Sequence, residues 1–97
     1  SLQLLTQAED PAMTLKFEKG FAARITTLRL IGQLRAENLE QLHEQMRGGG
    51  SQVVLDLEQV TLVDVDAVRF LGSCESDGVT LRNCSRYVRE WIHRERQ

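Results

Sequence analysis

The stretch VVLDLEQVTLVDVDAVRFL, residues 53–71, changes its period part-way along, and that change decides the architecture. Its first five residues are almost wholly apolar, the pattern of a central strand covered on both faces. Beyond the acids, Ala67, Leu71 and Cys74 recur at i, i+4 and i+7 with Val68 beside them, which is one stripe of a helix. Asp64 and Asp66 stand where the two periods meet.

Upstream, Met13, Leu15 and Phe17 alternate with Thr14, Lys16 and Glu18, a half-buried strand. Lys19-Gly20 marks a turn. Ile25, Leu28 and Leu30 sit among Thr27 and Arg29 in a second strand, which Gly32 closes. From 36 to 47 the period becomes helical, with Leu39, Leu42 and Met46 at i, i+3 and i+7. Glu37 and Glu40 lie in its first turns, where the helix dipole favours acids. The glycines at 48–50 stop that helix. A phosphate cradle would need a following Gly-Lys-Ser/Thr and a helix, but here a strand follows.

Downstream, Ser76-Asp77-Gly78 is a turn, and Val79 and Leu81 make a short strand. Ser85 is placed as an N-cap for a last helix whose buried stripe is Val88, Trp91 and Ile92. Strands alternating with helices predict an α/β single domain, a mixed and mainly parallel sheet packed with about three to four helices. Residues 13–96 form that domain. Residues 1–12 are expected to be a tail or edge element, with the leading Ser-Leu a remnant of expression.

The net charge of −2 gives no overall field for nucleic acid or an anionic membrane. Arg82, Arg86, Arg89, Arg94 and Arg96 are interspersed with acids and amides, so they are expected on a solvated helix face. No run approaches the roughly 20 apolar residues that span a bilayer, and no signal peptide is visible. Cys74 and Cys84 lack neighbours at ligand spacing and are expected as buried or partly buried thiols in a reducing cytoplasm. His43 and His93, far apart on helical patterns, are expected at the surface. No metal site and no cofactor are expected.

Two acids one residue apart can serve chemistry, and DVDAV fits the D-x-D-x-V/T pattern that opens haloacid-dehalogenase-like phosphatases. There the first Asp attacks phosphorus and the second is the acid/base. Such a site also needs a cation for the phosphoryl charge and further acids for Mg²⁺. The two lysines, Lys16 and Lys19, both precede the motif, and no pair of adjacent aspartates follows it. About 30 residues remain after it, too few for the rest of such a domain. The Mg²⁺-dependent phosphatase is therefore the remote reading. Capping of the helix by at least one of the two acids is favoured.

The whole of 13–94 resembles a STAS domain, the fold of bacterial anti-anti-sigma factors. TTLRLIGQL resembles the family's second strand and its glycine, here Gly32. VVLDLEQVTLVDVDAVRFL resembles the central strand, acidic loop and following helix, with no insertion between. VTLRNCSRYVREWI resembles the last strand and helix. In members that work by partner switching the loop reads Asp-Ser-Ser/Thr-Gly, and a kinase-type anti-sigma factor phosphorylates the second hydroxyl residue. Asp64 falls on the family's Asp and Asp66 on the phosphorylated position, while Val65 and Ala67 replace the family's Ser and Gly.

The resemblance implies a non-enzymatic protein-interaction module that is not switched by phosphorylation at this position. Asp66 supplies about one negative charge where a phosphoserine would supply about 1.5–2 and three acceptor oxygens. The expected partner surface is Asp64, Val65, Asp66, Ala67 and Arg69, and the expected partner a kinase-fold anti-sigma factor or a sensory complex. The alternative is a small-ligand or nucleotide-sensing STAS domain, although two acids at the helix start oppose an anion there.

Overall fold

A computed structural model of the chain describes residues 15–47 and 52–96. The proposed tail at 1–12, Met13 and the three glycines lie outside the described residues.

The elements follow the order read from the periods. They are β1 (Leu15–Ala22), β2 (Ile25–Leu34), a 3-10 turn (Ala36–Asn38), α1 (Leu39–Met46), β3 (Gln52–Val63), α2 (Val65–Ser76), β4 (Thr80–Arg82) and α3 (Arg86–Glu95). The sheet order is β1-β2-β3-β4. The β1/β2 pair is an antiparallel hairpin, and β2/β3 and β3/β4 are parallel. The expected α/β fold, a mixed and mainly parallel sheet packed with about three to four helices, is present with three α-helices among the described residues.

Alternation along β2 buries Thr26, Leu28, Leu30 and Leu34 on one face. Leu55 and Leu57 of β3 join them, and the helices close the layer with Leu42, Ala67, Val68, Leu71 and Ile92. These apolar side chains are removed from water at about 25 cal/mol per Å², the main favourable term of the fold. Trp91 and Val88 pack against this cluster, as their stripe predicts. Ser85 caps α3, its hydroxyl accepting from the Val88 N–H at 3.2 Å. Cys74 is buried and Cys84 half-buried, both as free thiols.

On the other face of the sheet Val54 and Asp56 are buried, each 5% exposed. Asp56 Oδ1 accepts from the Glu58 N–H at 3.1 Å and from Asn83 Nδ2 at 3.0 Å, and Oδ2 lies 3.5 Å from Arg29 Nε. Burial pushes this carboxyl up, but the Asn83 amide, the Glu58 N–H and the Arg29 guanidinium outweigh it and hold it below the ordinary value. Asn83, with φ 58°, leaves the strand here, so the β3/β4 pairing ends at Asp56–Arg82.

Three boundaries differ from the sequence reading. The first turn is not at Lys19-Gly20, since β1 continues through both residues to Ala22. The turn is the two-residue loop Ala23-Arg24, whose φ values of 52° and 67° belong to the hairpin geometry that matches strand twist. Gly32 does not close β2, which runs on to Leu34. It sits inside the strand at φ 109°, where the register with β3 shifts between Gly32 and Gln33. A glycine at a bulge adopts a backbone that a side chain resists. β3 also outlasts its apolar run, continuing to Val63 through a second register shift between Arg29 and Ile31.

Candidate partner-binding surface at the start of helix α2

The last paired residues of β2 and β3 are Leu34 and Val63, so the chain segments that follow them emerge side by side. This brings Ala36, at the start of the 3-10 turn, next to Asp64. Asp64 is the N-cap of α2, with extended backbone (φ −108°, ψ 179°). Its Oδ1 accepts from the Ala67 N–H at 2.9 Å. Its Oδ2 accepts from the Ala36 N–H, also at 2.9 Å, across 28 residues of sequence. One carboxylate therefore satisfies an orphan donor of the helix and ties it to the end of β2. The preference for a capping acid holds, and Asp64 is that acid.

Each Asp64 oxygen thus accepts one backbone N–H. Among the described residues no three His, Cys, Asp or Glu side chains come together as a metal-ion cluster.

Asp66, in the first turn of α2, is exposed. Val65 is half-buried. Ala67, expected to face a partner, is fully buried in the core cluster beside Val68. Its methyl group is therefore not available at the surface. Arg69 is exposed, and its Nε donates to Glu95 Oε1 of α3 at 2.9 Å. The Glu95 hydrogen bond and charge, with a smaller contribution from Asp66, raise the basicity of this guanidinium.

Outward from the helix start, the structure presents Asp66 and Arg69 as an exposed acid and base three residues apart, with Val65 at their edge. Sequence reasoning missed two supports of this surface, Ala36 and Glu95. Neither carries a local signal, because each pairing is created by the fold.

Arg89 Nη1 lies 2.7 Å from Glu75 Oε1, and Arg96 Nη1 lies 3.7 Å from the same atom. These pairs join α3 to α2 together with the Arg69–Glu95 bridge. Gly72 faces α3, where a Cβ would meet Ile92 Cγ2 at 3.4 Å, about an ordinary contact. His43 and His93 are both exposed, as expected. No described helix is long and apolar enough to cross a membrane.

No family model and no curated protein matches this sequence. The architecture does have solved counterparts. The crystal structure of an antisigma-factor antagonist STAS domain from Rhodobacter sphaeroides matches with a TM-score of 0.55 at 19% identity, over 74% of this chain and 92% of that one. The fold is that of a STAS domain. Within it the two acids separate by role, Asp64 turned into the STAS framework and Asp66 left at its surface.

Proposed function

We propose that this STAS domain is a non-enzymatic protein-interaction module of the antisigma-factor-antagonist kind. It docks a protein partner, a kinase-fold anti-sigma factor or a sensory complex in the cytoplasm, through the exposed start of α2. Val65, Asp66 and Arg69 supply the contact, while Asp64 and Ala67 hold the surface in shape. Asp66 occupies the position of the family's phosphoacceptor, so the surface carries a permanent charge and has no hydroxyl to phosphorylate there.

The observation that carries this reading is the division between the two acids. A catalytic pair would turn both carboxylates toward one substrate, one as nucleophile and one as acid/base. Here one carboxylate is consumed by backbone donors and the other is exposed beside an arginine. Arg is enriched at protein interfaces, and a rim charge mainly sets partner choice and association rate.

The test is affinity capture from native lysate with wild type, Asp66→Arg and Arg69→Glu, with retained proteins identified by mass spectrometry. A regulator held by wild type and lost by both variants supports the surface. Full retention by both variants overturns it.

A further inference from the structure

The hairpin tip and the α1–α2 cleft stand at the pole of the domain opposite Asp66. β2 runs ten residues from Ile25 to Leu34, so about 33 Å of strand separates the two poles. At the tip, Phe21 is 65% exposed and Ile25 is 38% exposed, two of the large apolar side chains left in water. Lys19 and Arg24 flank Phe21 and are exposed as well. The turn that projects them is formed by Ala23 and Arg24, both at positive φ. Non-glycine residues adopt that backbone only against steric resistance.

A cleft of about 370 Å³ opens at the same pole, between the C-terminal ends of α1 and α2. Met46, Val53, Phe70 and Val79 give it apolar walls, and Asp77 stands on its rim. Register places cleft and tip in one row on the helix-bearing face, since Phe21 pairs with Thr26 and Thr26 with Val53. Val79 immediately precedes the Val54–Thr80 pair, which puts it beside Val53. The charges are complementary too. Two helix C-termini and Asp77 favour cations at the cleft. The rim cation Arg47 is already paired with Glu44 at 3.0 Å, and the remaining rim base is His43.

We propose that this pole is a self-association surface, in which Phe21 of one copy enters the cleft over Val53 and Val79 of a second, and Arg24 meets Asp77 beside it. Tip and cleft share one pole, so the contact is reciprocal and closes as a two-fold dimer rather than a filament. The contact is small, which makes the dimer weak and concentration-dependent. Both Asp66 surfaces then face outward at the far ends, leaving the pair free to hold two partners.

Sedimentation equilibrium from about 10 µM to about 1 mM tests this, a range suited to a weak interface. Wild type is expected to rise above its 11.0 kDa monomer mass toward twice that value. Phe21→Ser, at an exposed site that does not support the core, is expected to weaken association about a hundred- to ten-thousand-fold, the worth of the two Phe side chains that a reciprocal dimer buries. Arg24→Asp weakens it, and adding Asp77→Arg restores it. A wild type that stays monomeric throughout overturns the proposal, even if the tip captures a different protein. Unchanged association of Phe21→Ser, or no recovery in the charge-swapped pair, overturns it as well.

Discussion

Replacing Asp64 by Ala removes two interactions at once. The N-cap bond to the Ala67 N–H contributes about 1 kcal/mol, as N-caps do. The bond to the Ala36 N–H is charge-assisted but lies near the surface, and contributes about another 1 kcal/mol. The expected loss is about 2 kcal/mol, and a domain of this size shifts by roughly 4–8 °C per kcal/mol, so Tm falls by about 8–16 °C. Asp64→Asn keeps an acceptor at the cap, but its Nδ2 donor then faces the Ala36 N–H and the second bond is lost, so it is expected to lose at least half as much. Asp66→Ala is the control. The lost helix-dipole attraction is offset by alanine's better helix propensity, which leaves stability within about 0.5 kcal/mol. Thermal and urea denaturation of the four proteins, followed by circular dichroism, give these differences directly. If Asp66→Ala costs as much as Asp64→Ala, or Asp64→Ala moves Tm by less than about 2 °C, the separation of roles between the two acids is refuted.

Three further outcomes follow from other parts of the structure. Ala23-Arg24→Asn-Gly places residues suited to positive φ in the hairpin turn, and is expected to raise the urea midpoint by the equivalent of about 1 kcal/mol at low protein concentration. Because the Asp56 carboxyl is held below its ordinary value in the fold, its ionised form adds stability that is fully present above the unfolded value of 3.8 and lost as pH falls through the lower folded value. Urea midpoints at pH 6, 4 and 3 are therefore expected to fall less steeply for Asp56→Asn than for wild type. Burial, with the charge of Asp77 second, pushes the Cys74 thiol up to about 11 from 9.0, so native thiol labelling near pH 8 is expected about 100-fold slower than for an ordinary cysteine and to rise with pH.

The elements were legible because each carries its own period. The α2 stripe of Ala67, Val68, Leu71 and Cys74 is buried as its spacing requires, and Ser85 caps α3. The hairpin turn was not legible, because Ala-Arg has no turn signature and the strand pairing imposes its backbone. Lys19-Gly20 looked like a turn because glycine permits one, but permission is not a requirement. Gly32 was recognised as special and assigned the wrong task, for a bulge and a strand end both favour glycine. At the surface, Asp64 and Asp66 were visible as a pair, and a cap was expected from one of them. Which acid turned inward depended on Ala36, and the state of Arg69 depended on Glu95. Those contacts span 28 and 26 residues and exist only once the sheet and helices are packed.

The most direct test of the account is a binding titration of the captured partner against wild type, Asp66→Arg and Asp64→Asn by calorimetry, with Tm measured on the same samples. The account predicts that Asp66→Arg binds at least about ten-fold more weakly, about 1.4 kcal/mol, with a smaller fall in Tm than Asp64→Ala. It predicts that Asp64→Asn, lowered in Tm but folded at the titration temperature, retains most of its affinity. Wild-type affinity in Asp66→Arg would contradict the account, because the exposed acid at the start of α2 would then not contribute to recognition.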